Sequence, residues 1–76
     1  MNRSMLLRHL AVAERHVRRG EAHLAKQEAL ISRLDRGGHD TAYARALRAT
    51  MRATQALHEQ ARERVLAELA QDVPSS

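Results

Sequence analysis

From Leu6 to Leu34, apolar and small residues with a single glutamine recur at alternating spacings of four and three: Leu6, Leu10, Ala13, Val17, Gly20, Leu24, Gln27, Ile31 and Leu34. This is the period of a heptad seam, and it predicts one long helix over about residues 3–35. One set of seam positions is large (Leu10, Val17, Leu24, Ile31). The other narrows in the middle (Leu6, Ala13, Gly20, Gln27, Leu34), which lets a second helix approach closely there. A second, broader stripe runs through Tyr43, Leu47, Thr50 or Met51, Thr54, Leu57 and His58, Ala61, Val65 and Leu69, and predicts a second helix over about residues 41–71.

Between the two stripes lies Asp35-Arg36-Gly37-Gly38-His39-Asp40-Thr41. Either glycine can take the left-handed conformation that closes a helix, and Asp40 or Thr41 can cap the next one. A turn over about residues 36–40 makes the helices antiparallel neighbours. With the turn centred near Gly38, Gly20 is expected opposite the neighbourhood of Ala56 and His16 opposite that of His58. Residues 72–76, containing Val73-Pro74-Ser75-Ser76, are expected to fray.

Composition turns the hairpin into an expectation about assembly. A chain of 76 residues with Tyr43 as its lone aromatic has little with which to fill a compact core, and it has no cysteine to staple one. The apolar faces exceed what one neighbouring helix can cover. The expected architecture is therefore all-α: a single antiparallel two-helix hairpin, residues 1–76, that dimerises into a four-helix bundle. The expected interface comprises Leu6, Leu10, Ala13, Val17, Gly20, Leu24, Gln27, Ile31 and Leu34 with Leu47, Thr54, Leu57, His58, Ala61, Val65 and Leu69. The opening MNRSMLLRHLAVAERH has Arg8 and His9 interrupting a short apolar patch, so no secretory signal is expected. No run is long enough for a membrane span, and a cytoplasmic protein with no membrane partner is expected.

Thirteen basic residues, all arginine except Lys26, outweigh nine acids and give a formal charge of +4. Arg15, Arg18 and Arg19 form one basic region with Lys26, and Arg45, Arg48 and Arg52 form another. Arg48 and Arg52 stand one turn apart and can reach successive phosphates, which makes nonspecific nucleic-acid binding an alternative function. No helix-turn-helix pattern or aromatic platform accompanies them.

His9, His16 and His23 recur every seven residues, each immediately before a seam residue, while Glu14, Glu21 and Glu28 recur on the opposite flank. Seven residues separate histidines by about 10 Å along a helix axis, so the three do not share one site. Their placement is that of edges flanking a hydrophobic seam. Two chemical alternatives use the same residues. His16 and His58, joined by Glu59, Glu63 or a side chain from a second copy, are the candidate metal ligands, although no histidine spacing along one helix places two ligands on one face. His16-Val17-Arg18-Arg19-Gly20 resembles the H-x-x-K-G core of histidine phosphotransfer domains, with Arg19 in place of the lysine and Glu21 where a small residue often follows. That resemblance implies a phosphorylatable His16 with a basic residue close by to offset the phosphate charge.

No catalytic constellation is present. The hydroxyls Ser4, Ser32, Thr41, Thr50, Thr54, Ser75 and Ser76 are scattered without a base and orienter, there is no glycine-rich phosphate loop, and a thin hairpin offers no deep pocket for a small-molecule substrate. No cofactor motif is found. The segments ERHVRRGEAHLAKQEALI, GHDT and ALHEQARERVLAELA together resemble a group of short helical-hairpin proteins of alphaproteobacteria for which no activity is established. The resemblance implies a hairpin in a bacterial cytoplasm and carries no catalytic residue. The expected function is a small non-enzymatic interaction or regulatory module that associates with itself, with a further protein partner as a second role.

Overall fold

The computed structural model describes residues 2–71. It consists of two α-helices, α1 (Arg3–Arg36) and α2 (Ala42–Gln71), packed side by side, and among the described residues there is no strand. The expected frayed segment, residues 72–76, lies outside the described residues.

Each helix end has a chemical cause. The Asn2 carboxamide oxygen accepts a hydrogen bond from the Met5 amide at 2.8 Å and satisfies one of the free donors at the start of α1. At its other end the chain turns through a Schellman motif: the His39 amide donates to the Leu34 carbonyl at 2.9 Å and the Gly38 amide to the Asp35 carbonyl at 3.1 Å. Gly38 has φ +72°, the left-handed conformation that this closure requires and that a side chain disfavours. Asp40 then opens α2 by accepting the Ala42 amide at 2.9 Å. The turn residues singled out by the sequence thus stop one helix and start the next.

The helices are antiparallel. Gln27 pairs with Ala44, Val17 with Gln55, and His16 with His58, two to five residues from the register that a bend at Gly38 dictates. On α1 all nine seam residues are buried or half-buried, with Leu6 and Val17 only 2% exposed. On α2 the inward row is Ala44, Arg48, Met51, Gln55, His58, Arg62, Val65 and Leu69, again alternating spacings of four and three. This row meets the sequence-derived stripe at Met51, His58, Val65 and Leu69. It departs by one position where Ala44, Arg48 and Gln55 face inward and Tyr43, Leu47 and Thr54 are exposed, and Leu57 is also exposed.

The departure has a packing reason. At its narrow point α1 offers not a hydrophobic hollow but the bare backbone of Gly20, and the Gln55 side chain fills it. The carboxamide oxygen of Gln55 occupies the space that a Cβ at position 20 would need. Its nitrogen donates to the Val17 carbonyl at 2.8 Å, in a residue only 5% exposed. Gln27 makes the reciprocal contact, donating from Nε2 to the Ala44 carbonyl at 2.8 Å. Each helix therefore sends one buried glutamine to the backbone of the other, opposite a small residue.

This arrangement predicts a reversal of sign. Alanine is a better helix former than glycine by about 1 kcal/mol. At position 20, however, its methyl group must expel Gln55 and break a buried hydrogen bond worth about 1 kcal/mol. Gly20→Ala is expected to leave stability unchanged or slightly reduced in the native background, yet to stabilise the Gln55→Ala variant by about 1 kcal/mol in urea denaturation. Equal stabilisation in both backgrounds would show that Gln55 does not occupy this space.

Candidate functional site

The close approach at Gly20 leaves a groove along one side of the hairpin. It has a volume of about 310 Å³ and is lined by His16, Arg19, Gly20 and His23 from α1 and by Thr50, Met51, Thr54, Gln55 and His58 from α2. His16 immediately precedes the buried Val17, and His58 follows Gln55 by three residues on the same side of α2. The glutamine bond that sets the register therefore also sets the spacing of these two histidines. Their rings meet edge to face, with centroids 5.0 Å apart and planes inclined at 69°. His58 is half-buried; His16 is exposed.

The expected carboxylate companions do not join this pair. Glu59 and Glu63 line a separate hollow with Ala56, Gln60 and Arg64. Among the described residues no three of His, Cys, Asp and Glu gather closely enough to hold a metal ion. His23 borders the same groove, two helical turns along α1 from His16, while His9 lies exposed beyond the lining. Beside the phosphotransfer-like segment His16–Gly20, the space that a side chain at Gly20 would need is taken up by Gln55.

The same side of the molecule carries much of its exposed apolar surface. Tyr43, Leu47, Thr50, Thr54, Leu57 and Ala61 follow one another at helical spacing along α2, and Thr50 and Thr54 of this row line the groove. On α1 the row Met5, His9, Val12, His16, Arg19 and His23 does the same. Of the seven large exposed apolar residues among those described, five belong to these two rows: Met5, Val12, Tyr43, Leu47 and Leu57, with Tyr43 83% and Leu57 64% exposed. Leu7 and Leu66 fall outside them.

The basic residues are distributed differently. Arg48 approaches both carboxylate oxygens of Glu28 at 3.2 and 3.3 Å, and Arg52 reaches the same group at 3.1 Å. Arg18 lies 3.8 Å from Glu14 one turn before it on α1, and Arg45 donates to the Thr41 hydroxyl at 2.8 Å. Arg15 and Arg19 are exposed. The two arginines best spaced to contact successive phosphates are thus engaged by one carboxylate across the hairpin. This shared carboxylate ties α1 to α2 on the side away from the groove.

Sequence reasoning brought out His16, His58 and the narrow point at Gly20, but not Gln55 or the groove lining by Thr50, Met51 and Thr54 together. A signal for Gln55 was present: it lies on the row of Ala44, Met51, His58 and Val65, facing the one residue of α1 that has no side chain. Polarity hid it from a search for apolar periodicity.

The Glu28 cluster is exposed enough for salt to weaken it. Glu28→Gln is expected to destabilise the hairpin by about 0.5–1 kcal/mol at low ionic strength, with most of the loss disappearing in molar sodium chloride. Urea denaturation at the two salt concentrations measures both; a salt-independent loss would mean that Glu28 acts by packing.

No helix of the described residues is long and apolar enough to cross a membrane. Comparisons with protein-family models, with curated proteins and with solved structures give no match.

Proposed function

We propose that this protein is a small, non-enzymatic helical interaction module that pairs with a second copy of itself, groove side to groove side, as a four-helix bundle. The observation that carries this is the apolar surface left on one side: Tyr43, Leu47 and Leu57 on α2 beside Met5 and Val12 on α1. Among the described residues three large apolar side chains are buried, Leu6, Val17 and Ile31, and the Cα positions span just 16 × 14 Å in cross-section. A body so thin gains stability chiefly by covering apolar surface against a partner.

The outward row of α2 supplies what the seam of α1 no longer offers. Leu6, Ala13, Val17, Gln27 and Ile31 are already covered within the hairpin, whereas Leu47, Thr54 and Leu57 of the expected interface remain accessible. A self-complementary pairing places the same surface on both copies, as two-fold symmetry requires. The charged cluster of Glu28, Arg48 and Arg52 lies away from this contact and stays in water. The setting proposed is the cytoplasm of a bacterium, in keeping with the resemblance to alphaproteobacterial hairpins. There the module would serve a regulatory partnership by presenting its charged sides.

Sedimentation velocity at micromolar concentration is expected to give twice the 8.6 kDa chain mass. Leu57→Glu, a change at an exposed position, is expected to weaken pairing at least about tenfold, or 1.4 kcal/mol, while the helical circular dichroism of each chain persists. A folded monomer of 8.6 kDa at that concentration overturns the proposal.

A further inference from the structure

We propose that His16 and His58 form a two-imidazole chelate for a divalent transition-metal ion of the zinc type, completed by the same pair from a second copy. The ring spacing is the first support. With a zinc–nitrogen bond of about 2.0–2.1 Å and the ring centroid about 1.1 Å beyond the nitrogen, two imidazoles at a tetrahedral angle place their centroids about 5.2 Å apart. The observed separation is 5.0 Å. The centroid spacing matches that of a shared metal ion, and from the edge-to-face arrangement one ring must turn about its side-chain bonds to direct a nitrogen to the same point.

Their mounting is the second support. Both histidines stand on long helices rather than on a loop, and each lies within one turn of the Gln55–Val17 hydrogen bond that fixes the helices against one another. A chelate on such a frame loses little freedom on binding. The ligand set is the third. Among the described residues no carboxylate lines the groove, so the donors on offer are imidazoles, which suit zinc, nickel and copper and not the oxygen-seeking calcium or magnesium. Arg19 also borders the groove, but it is exposed, and its long side chain can carry its charge into water.

The site is incomplete in one chain. Zinc at a structural site takes four ligands, and no third histidine, cysteine or carboxylate gathers with His16 and His58 among the described residues. Pairing groove to groove brings a second His16 and His58 toward the first pair and supplies four nitrogens to one ion. The chelate in this form rests on the self-association proposed above, and it adds to that association a dependence on metal. Because the ligating nitrogens must be free of protons, binding weakens on acidification.

The test titrates zinc ion into the chelator-treated full chain by calorimetry and measures sedimentation with excess zinc-free chelator and with zinc. One ion is expected to bind per two chains and to raise the thermal midpoint. His16→Gln and His58→Gln are each expected to lower zinc affinity at least about a hundredfold, whereas His39→Gln, in the turn outside the groove, leaves it within a few-fold. His16 is exposed, so its variant is expected to keep the fold, checked by the helical signal and melting in chelator. One ion per chain, no binding, or binding insensitive to His16→Gln overturns the chelate. A dimer in chelator that ignores zinc removes the metal site and leaves self-association standing. A monomer in chelator that zinc converts to a dimer through His16 and His58 upholds the site and replaces constitutive pairing with metal-driven pairing. A monomer under both conditions overturns both.

Discussion

The hairpin depends on one close contact, the Gln55 carboxamide lying on the bare backbone of Gly20 with its nitrogen on the Val17 carbonyl. A buried amide is costly wherever its donors lack partners, by about 1–3 kcal/mol, whereas the bond it makes contributes a net of about 1 kcal/mol. The Gln55 oxygen is buried without a partner even in this register, so the contact selects the register through its donor, which meets the Val17 carbonyl here and would lose it on sliding. Gln27 repeats it on the Ala44 carbonyl, ten residues along α1, or about 15 Å. Two fixed points at that separation specify both the direction and the register of α2. A slide by one turn would leave both amides buried against the wrong neighbours. Leu6, Val17 and Ile31 supply burial, but burial alone tolerates sliding.

What the sequence made legible follows from the kind of force involved. The α1 seam could be read residue by residue because it is apolar or small at every position but Gln27, and a helix with one dominant face has one way to turn that face inward. The end of α1 was legible for a different reason: Gly38 adopts a backbone angle open to few other residues, so local chemistry fixes it without reference to the rest of the fold. On α2 two adjacent rows compete. Tyr43, Leu47 and Leu57 make one the more hydrophobic, while Ala44, Gln55 and His58 make the other the better complement to Gly20, Gln27 and His16. Periodicity ranks rows by hydrophobicity and has no measure of complementarity. The fit of a carboxamide against a glycine on the other helix is visible only once both helices are placed.

That outcome also sorts the surface. By placing Gln55 inward, the hairpin turns Arg48 toward Glu28 and leaves the apolar row of α2 beside the groove. The charge excess of the chain is thereby spread unevenly in kind. On one side arginines are held by a carboxylate; on the other, leucines, a tyrosine and histidines face water with no carboxylate in the groove. Net charge and composition, summed over the chain, conceal this division. It is a consequence of a one-position choice of helix face, which rotates every side chain of α2 by about 100°.

Stability and site geometry share one cause in this molecule. His16 is covalently next to Val17, whose carbonyl takes the Gln55 bond, and His58 stands one turn beyond Gln55, so the two rings are carried by the residues that lock the helices. The backbone positions that carry them are held by that lock. A histidine pair elsewhere on so slender a hairpin would be free to splay with the helix ends; here it flanks Gly20, whose missing side chain makes room for Gln55. The same glycine that weakens α1 as an isolated helix thus provides the space for Gln55, the floor of the groove and the proximity of the two imidazoles. Substitution there is expected to act on all three together, because the Gln55 side chain that fills the space beside the glycine also borders the groove and holds the register.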